Sequence, residues 1–370
     1  MGDVAVLFGG PSPEHDISIL TGLQAARGFL SQGRPPKAIF WSKLGQFFLV
    51  EPRLEASAFV DGAPRDAETV TLNVGDGGGF FIDGGRRKGP QRLDIDAVVL
   101  CTHGGPGEDG TLQGALDLAG VRYAGPTLAG AALGMDKLAF GAVMAAAALP
   151  TLERIALTSE LTDVDIDGPF IAKPRFGGSS IGIDVVADLG VAQARLTTNP
   201  HFANGAVLEP YRPDLHDLLV AVRTWPERQF SAIERPLKTT QGSGEILDYL
   251  DKYVGGEGMA SAPRELPAQI SSEQATTILA LANRVTDVSG IRGVTRIDFL
   301  VNEHEIYVNE INTIPGSLSR HLFIDPPISF EQFLNDLVDE ALNVPTHRYN
   351  SAGADGLVLR SASSIAAKLA

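Results

Sequence analysis

The chain carries one cysteine, Cys101, so no intrachain disulfide can form and a reducing compartment is the natural setting. Positive charge is scarce: 30 Lys and Arg against 45 Asp and Glu leave a formal net charge of −15. A broad basic surface for nucleic acid or an anionic membrane is therefore not expected. Long apolar runs are missing too. The longest, Leu138 to Leu149, is too short to span a bilayer. At the start, MGDVAVLFGG has no basic segment ahead of an apolar one, and Val6 stands where a myristoylation motif needs Ser or Thr. Neither the P-loop pattern G-x-x-x-x-G-K-S/T nor G-x-G-x-x-G occurs, although GGPSPE (9–14) opens a helix after a strand. No internal repeat is visible. The expectation is a cytoplasmic protein with no nucleic-acid or membrane partner.

What is present suits an enzyme of several domains. The 370 residues are 44% hydrophobic and 20% charged, enough for two or three packed cores. Val4 to Phe8 reads as a buried strand entering a Gly-Gly turn, and Ile17, Leu20, Leu23, Ala26 and Phe29 mark a helix over 14–30. Strand, turn and helix open an α/β domain. Residues 45–93, rich in Gly, Asp and Arg, read as a surface insertion with hairpins. One alanine-rich helix is predicted from Thr127 to Ala148, closed by Pro150. Strands are predicted at 170–173 and 181–186 around Arg-Phe-Gly-Gly-Ser-Ser, then at 206–209, 218–224 and 230–234. A long polar loop spans 240–263, a helix 271–288, two strands 294–301 and 305–312, and a helix 330–342, with a small, polar tail at 350–370.

The chemistry concentrates in VTRIDFLVNEHEIYVNEINTIPGS, residues 294–317. If its strands form a hairpin centred near His304, Asp298 lies opposite Glu310 and Arg296 opposite Asn312. Side chains alternate along strands, so these four share one face while Ile297, Phe299 and Ile311 share the other. Two carboxylates and an amide oxygen on one face suit a hard cation such as Mg²⁺ bridging to phosphates. The competing reading is a solvated sheet face with an Arg–Glu pair. A second group comprises Lys137, in GMDKLAF, and Lys173, which follows FIA and precedes GGSSIG. A glycine-rich strand–loop–strand exposes N–H groups that can hold phosphate oxygens. An isolated lysine is more often a solvated surface charge.

FGGPSPEHDIS (8–18), HGGPGEDGTLQG (103–114), MDKL (135–138), AKPRFGGSSIG (172–182), LDYLDKY (247–253), TRIDF (295–299) and NEINTIPGS (309–317) come in an order and spacing that resemble the D-alanine–D-alanine ligases. The likeness covers roughly 3–345. It implies an ATP-grasp fold (α/β, or α+β) behind an N-terminal Rossmann-like domain. Three domains are expected, at 1–134, 135–213 and 214–349, with residues 240–263 as a lid. It also implies a homodimer, ATP, two Mg²⁺ or Mn²⁺ ions, and amino-acid substrates.

The resemblance assigns roles residue by residue. Lys137, Lys173 and the loop serines Ser179 and Ser180 would meet ATP phosphates. Glu209 would bind the adenine amino group, with Tyr211 and Arg212 at the hinge and Asp217 on the ribose, where His216 is a rival. Asp298, Glu310 and Asn312 would hold the metals. Glu14 would take the first amino acid's ammonium beside His103, and Ser179 and Tyr253 would link loop, Glu14 and lid. Lys252 would reach the transferred phosphate or a carboxylate. Arg296 and the Gly316 N–H would stabilise the oxyanion formed when the second amine attacks an acyl phosphate. One departure stands out. His321 occupies the position of a serine that holds the second substrate's carboxylate, and Leu322 keeps the position after it. The activity implied is ATP-dependent ligation of D-alanine to D-alanine for peptidoglycan. The alternatives are a ligase with another acceptor, such as D-serine or D-lactate, a catalytically silent nucleotide binder, and a dinucleotide oxidoreductase.

Overall fold

The computed structural model describes residues 3–83, 89–237, 263–345, 350–362 and 364–366. The expected lid, with Tyr249, Lys252 and Tyr253, lies outside them. Three main sheets organise the rest. The first contains β1 (Val4–Gly9), β2 (Lys37–Trp41), β3 (Phe47–Val50), β4 (Glu68–Asn73), β5 (Gly79–Asp83), β6 (Pro90–Arg92), β7 (Ala97–Leu100) and β8 (Tyr123–Ala124), in the order β6-β5-β4-β3-β2-β1-β7-β8. β1 runs parallel to both β2 and β7. Every residue of β1 is buried, which is why the strand reads as an uninterrupted apolar run.

Residues 45–93 are more than a surface appendage. Their strands continue this sheet as an antiparallel meander. Val50, Phe59, Val70, Phe80 and Leu93 enter the same core as Val6 and Leu7. The helix Phe330–Asn343 also packs Phe333, Leu334 and Leu337 into that core, far in sequence from the N-terminal strands.

The second sheet holds β9 (Ile155–Leu157), β10 (Phe170–Pro174), β11 (Asp184–Val186) and β12 (Ala206–Pro210), ordered β11-β10-β12-β9 and antiparallel throughout. The third holds β13 (His216–Arg223), β14 (Gln229–Phe230), β17 (Val294–Val301) and β18 (Ile306–Asn312), ordered β14-β13-β17-β18. A two-stranded ribbon, β15 (Arg235–Pro236) and β16 (Arg264–Glu265), stands beside it. The helix Ser272–Ser289 buries Ile278, Leu281, Ala282 and Val285 against the third sheet. Ser271 caps its start, and Gly290 ends it at φ 56°, a left-handed conformation that glycine adopts without penalty.

The single helix expected over 127–148 is two, Leu128–Met135 and Lys137–Ala146. Asp136 separates them with extended backbone (ψ 97°), and its carboxylate accepts from the N–H groups of Leu138 and Ala139. A side chain that satisfies the first N–H groups of a new helix competes well with continuing the old one. The break puts Lys137 in the first turn of the second helix.

Candidate active site

A cleft of about 600 Å³ opens between the second and third sheets. Lys137, Lys173, Gly177, Gly178, Ser180 and Glu209 line one wall, and Asp217, Asp298, Leu300 and Glu310 the other. Tyr211 and Arg212 also line it. The third-sheet wall follows the register read from the sequence. Arg296 pairs with Asn312, and Asp298 with Glu310. Ile297, Phe299 and Ile311 are buried on the opposite face. Towards the turn the register departs from symmetry about His304. Phe299 pairs with Val308, which leaves Asn309 as an extra, bulged residue. That bulge sets the face. Unbroken alternation from the buried Val308 would send Glu310 into the core and Ile311 into the cleft, and one extra residue restores the phase.

Charges across this face are already balanced. Arg296 makes a bidentate pair with Asp298, both bonds 2.7 Å, and Asn312 Nδ2 donates to Asp298 at 3.1 Å. Lys137 Nζ lies 3.7 Å from Glu310 and donates to the Gly177 carbonyl. Among the described residues no three His, Cys, Asp or Glu side chains cluster as a metal cage. Two carboxylates and an amide oxygen on a cleft wall fit Mg²⁺, which keeps several waters and phosphate oxygens of its own.

On the opposite wall, Glu209 is 2% exposed and sits 2.6 Å from Lys173 Nζ and 2.8 Å from Arg154 Nε. Burial presses the Lys173 ammonium below its usual range, with Glu209 opposing. Burial would raise Glu209, yet the two cations hold it low, so it stays charged. Arg154 also donates to the carbonyls of Lys137 (2.8 Å) and Asn309. It thereby ties Glu209, the helix that begins at Lys137 and the bulge together. Nothing in the sequence singles it out.

Asp217 pairs with Leu300, itself a cleft residue two positions from Asp298, so both share the cleft face. His216 also reaches the cleft, but its Nε2 lies 2.9 Å from Arg235. Arg212 pairs with Asp214 at 2.7 Å and with Glu305.

Beyond the Gly177–Ser180 loop, Glu14 sits just ahead of the helix His15–Ser31, where the helix dipole favours an anion. Ser179 donates to it across the loop. Gly104 makes room: at φ 63° its Cβ would lie 2.5 Å from a Glu14 oxygen. His103 is buried between Thr21 (2.8 Å) and the Ile314 carbonyl (2.6 Å). Burial and Arg296 push its pKa down to about 4 against the pull of the Ile314 bond, so it is neutral at physiological pH. Glu108, within HGGPGEDGTLQG, accepts from Gly104 N–H, Ile314 N–H and Thr313 and was missed by sequence reasoning. Burial and neighbouring Glu14 raise it to about 7.

After Pro315 and Gly316 the chain makes a left-handed turn, with Ser317, Leu318 and Ser319 at φ 47–51°. Leu322, expected near substrate, is fully buried in the N-terminal core. His321 Nε2 lies 3.0 Å from Glu234, an acid to which sequence reasoning gave no role. Lys252 and Tyr253 lie outside the described residues.

Residues 3–126 match the family described as D-ala D-ala ligase N-terminus, and residues 138–339 that described as D-ala D-ala ligase C-terminus. A D-alanine–D-alanine ligase of Campylobacter lari is 31% identical over 323 residues, 86% of this chain and 89% of its own. One from Arthrobacter is 32% identical over 369 residues, 93% of this chain and 94% of its own. The crystal structure of the Helicobacter pylori D-alanine–D-alanine ligase superposes with a TM-score of 0.70 at 25% identity, covering 94% of this chain and 100% of that one. The architecture is the ATP-grasp fold, and the chain belongs to the D-alanine–D-alanine ligase family.

Proposed function

We propose that this enzyme joins two molecules of D-alanine at the expense of ATP, giving the dipeptide used to build peptidoglycan precursors. The observation that carries the reading is the Arg296–Asp298–Glu310–Asn312 face opposite Lys137 and Lys173 across one cleft. Its relatives' names speak for D-alanine over other acceptors.

A free carboxylate is a poor electrophile because attack by an amine would have to expel oxide. Attack by the first D-alanine's carboxylate on the γ-phosphate of ATP gives an acyl phosphate, whose leaving group is phosphate. Lys137, Lys173 and the loop N–H groups around Gly177 to Ser180 offset charge on the transferring phosphoryl group. Mg²⁺, held by Asp298, Glu310 and Asn312, would supply further positive charge there. Glu14, oriented by Ser179, receives the first ammonium beside neutral His103. Arg296 and the Gly316 N–H face the oxyanion of the second step. Glu209 and Asp217 take the adenine and ribose, with Tyr211 and Arg212 at the hinge.

The same reading divides the chain near 134 and 213, in keeping with its three sheets, and carries with it a homodimer in the cytoplasm. Among the described residues no helix is long and apolar enough to cross a membrane. The decisive assay is D-alanine-dependent release of ADP and phosphate with the dipeptide detected by mass. Glu310→Ala is expected to abolish it. Phosphate release that ignores D-alanine, or survives that change, sinks the reading.

A further inference from the structure

We propose that His321, backed by Glu234, takes the proton from the second substrate's ammonium. This rests on the ligase reading above, in which an amine must be neutral before it can attack.

The register places the pair. Leu219 on β13 pairs with Asp298 on one side. On the other it bridges to Glu234, through N–O bonds of 2.8 and 2.9 Å. Paired residues share a face, so Glu234 lies on the face of Asp298 and Glu310. Glu234 is 6% exposed and also lies 3.1 Å from Arg264. Burial would raise its carboxyl, but His321, Arg264 and Arg296 hold it low, so it stands charged behind the ring. The imidazole is 30% exposed and thus reachable where the acid is not. Among the described residues its Nδ1 makes no hydrogen bond. The segment carrying it begins at Gly316 and is tied to the stretch ahead of Glu234 by Ala232 N–H donating to the Leu322 carbonyl at 3.1 Å.

The other imidazoles near the cleft are committed elsewhere. His103 has both ring nitrogens engaged. His15 is bound to the Gly10 carbonyl, and His216 to Arg235 at the nucleotide end of β13. Glu14 is bound by Ser179.

His321 accepts one proton at Nδ1, and the resulting imidazolium is stabilised by Glu234 at Nε2. The freed electron pair forms the C–N bond to the acyl carbon. As the tetrahedral adduct collapses, the C–O bond to phosphate breaks and the departing phosphate takes nitrogen's second proton. His321 then returns its own proton to water.

Hydroxylamine separates this step from the rest, because it is already neutral near pH 7.5 and needs no base. With ATP, Mg²⁺ and D-alanine, His321→Asn should form hydroxamate at close to the wild-type rate. Its kcat for dipeptide at saturating D-alanine should fall roughly 100-fold, and the rising limb of its kcat–pH profile should move to higher pH. Glu234→Gln should show a smaller loss of the same kind. A defect confined to the KM for the second D-alanine would make His321 a carboxylate anchor and overturn the proposal. Equal loss of hydroxamate and dipeptide would also overturn it, as a role before amine attack. Failure of the wild-type enzyme to form hydroxamate would remove the acyl-phosphate reading itself, and this proposal with it.

Discussion

Arg154 donates from its guanidinium to the backbone carbonyl of Asn309, the residue that bulges out of β18 and turns Glu310 towards the cleft. The two residues are 155 positions apart. The same guanidinium holds Glu209 and the first turn of the helix that presents Lys137. Both walls of the cleft are thus pinned through one buried side chain, a positioning residue that need not touch substrate.

Replacing Arg154 by Met should therefore do two things. It leaves Glu209 buried against a single cation, and breaking such a buried pair costs about 3–5 kcal/mol. It also frees the Asn309 bulge. A lower midpoint in urea denaturation is expected, together with at least a tenfold rise in the KM for ATP. Arg154→Lys should recover stability better than ATP affinity, because an ammonium cannot reach three acceptors at fixed angles. An unchanged KM for ATP in the Met variant would remove Arg154 from the positioning role.

Gly104 tests the proposed first amino-acid site. An alanine Cβ there would sit 2.5 Å from a Glu14 oxygen, at a φ of 63° that alanine resists. Gly104→Ala should raise the KM for the first D-alanine by an order of magnitude or more while leaving ATP binding nearly intact. Equal effects on both substrates would argue against a Glu14 site confined to the amino acid.

Glu108 predicts a pH dependence of stability. Its pKa rises from an ordinary 4.5 to about 7 in the folded protein. Between those values the folded state binds the extra proton, so stability falls as pH rises through this window and the loss is complete above it. The span corresponds to on the order of 3 kcal/mol. Thermal melts from pH 4.5 to 8 should show a decline that Glu108→Gln flattens. Identical slopes in both proteins would exclude Glu108 as the source.

Arg292 joins the first sheet to the helix Phe330–Asn343. Its buried guanidinium donates to the carbonyls of Tyr123 (2.7 Å), Gly125 (3.0 Å), Glu340 (3.3 Å) and Val344 (2.9 Å). Arg292→Met strands several of these acceptors, each costing about 1–3 kcal/mol when unsatisfied. Chemical denaturation should show a loss of several kcal/mol with kcat little changed in the folded fraction. A stability loss below about 1 kcal/mol would show that water replaces the clasp.

The helix starts at Ser271 and Ser329, the buried strand Val4–Gly9 and the shared face of Arg296, Asp298, Glu310 and Asn312 were legible in the amino-acid order. The caps and the buried strand are written within a few residues of themselves, whereas the shared face also needs the register across the hairpin, which the Asn309 bulge restores. The Asp136 break is half-legible, since Asp is a good cap, but an alanine-rich context masks it. What stayed hidden is set by partners remote in the chain. Asn309 bulges where Arg154 holds it, Glu234 reaches the site through Leu219, and three non-glycine residues turn left-handed at Ser317–Ser319 beside a hydrogen bond from Ser317 N–H to Thr21. Local pattern sets local conformation and face. Which charged groups meet across a cleft is decided by packing between distant segments, whose pairings carry no short-range signature.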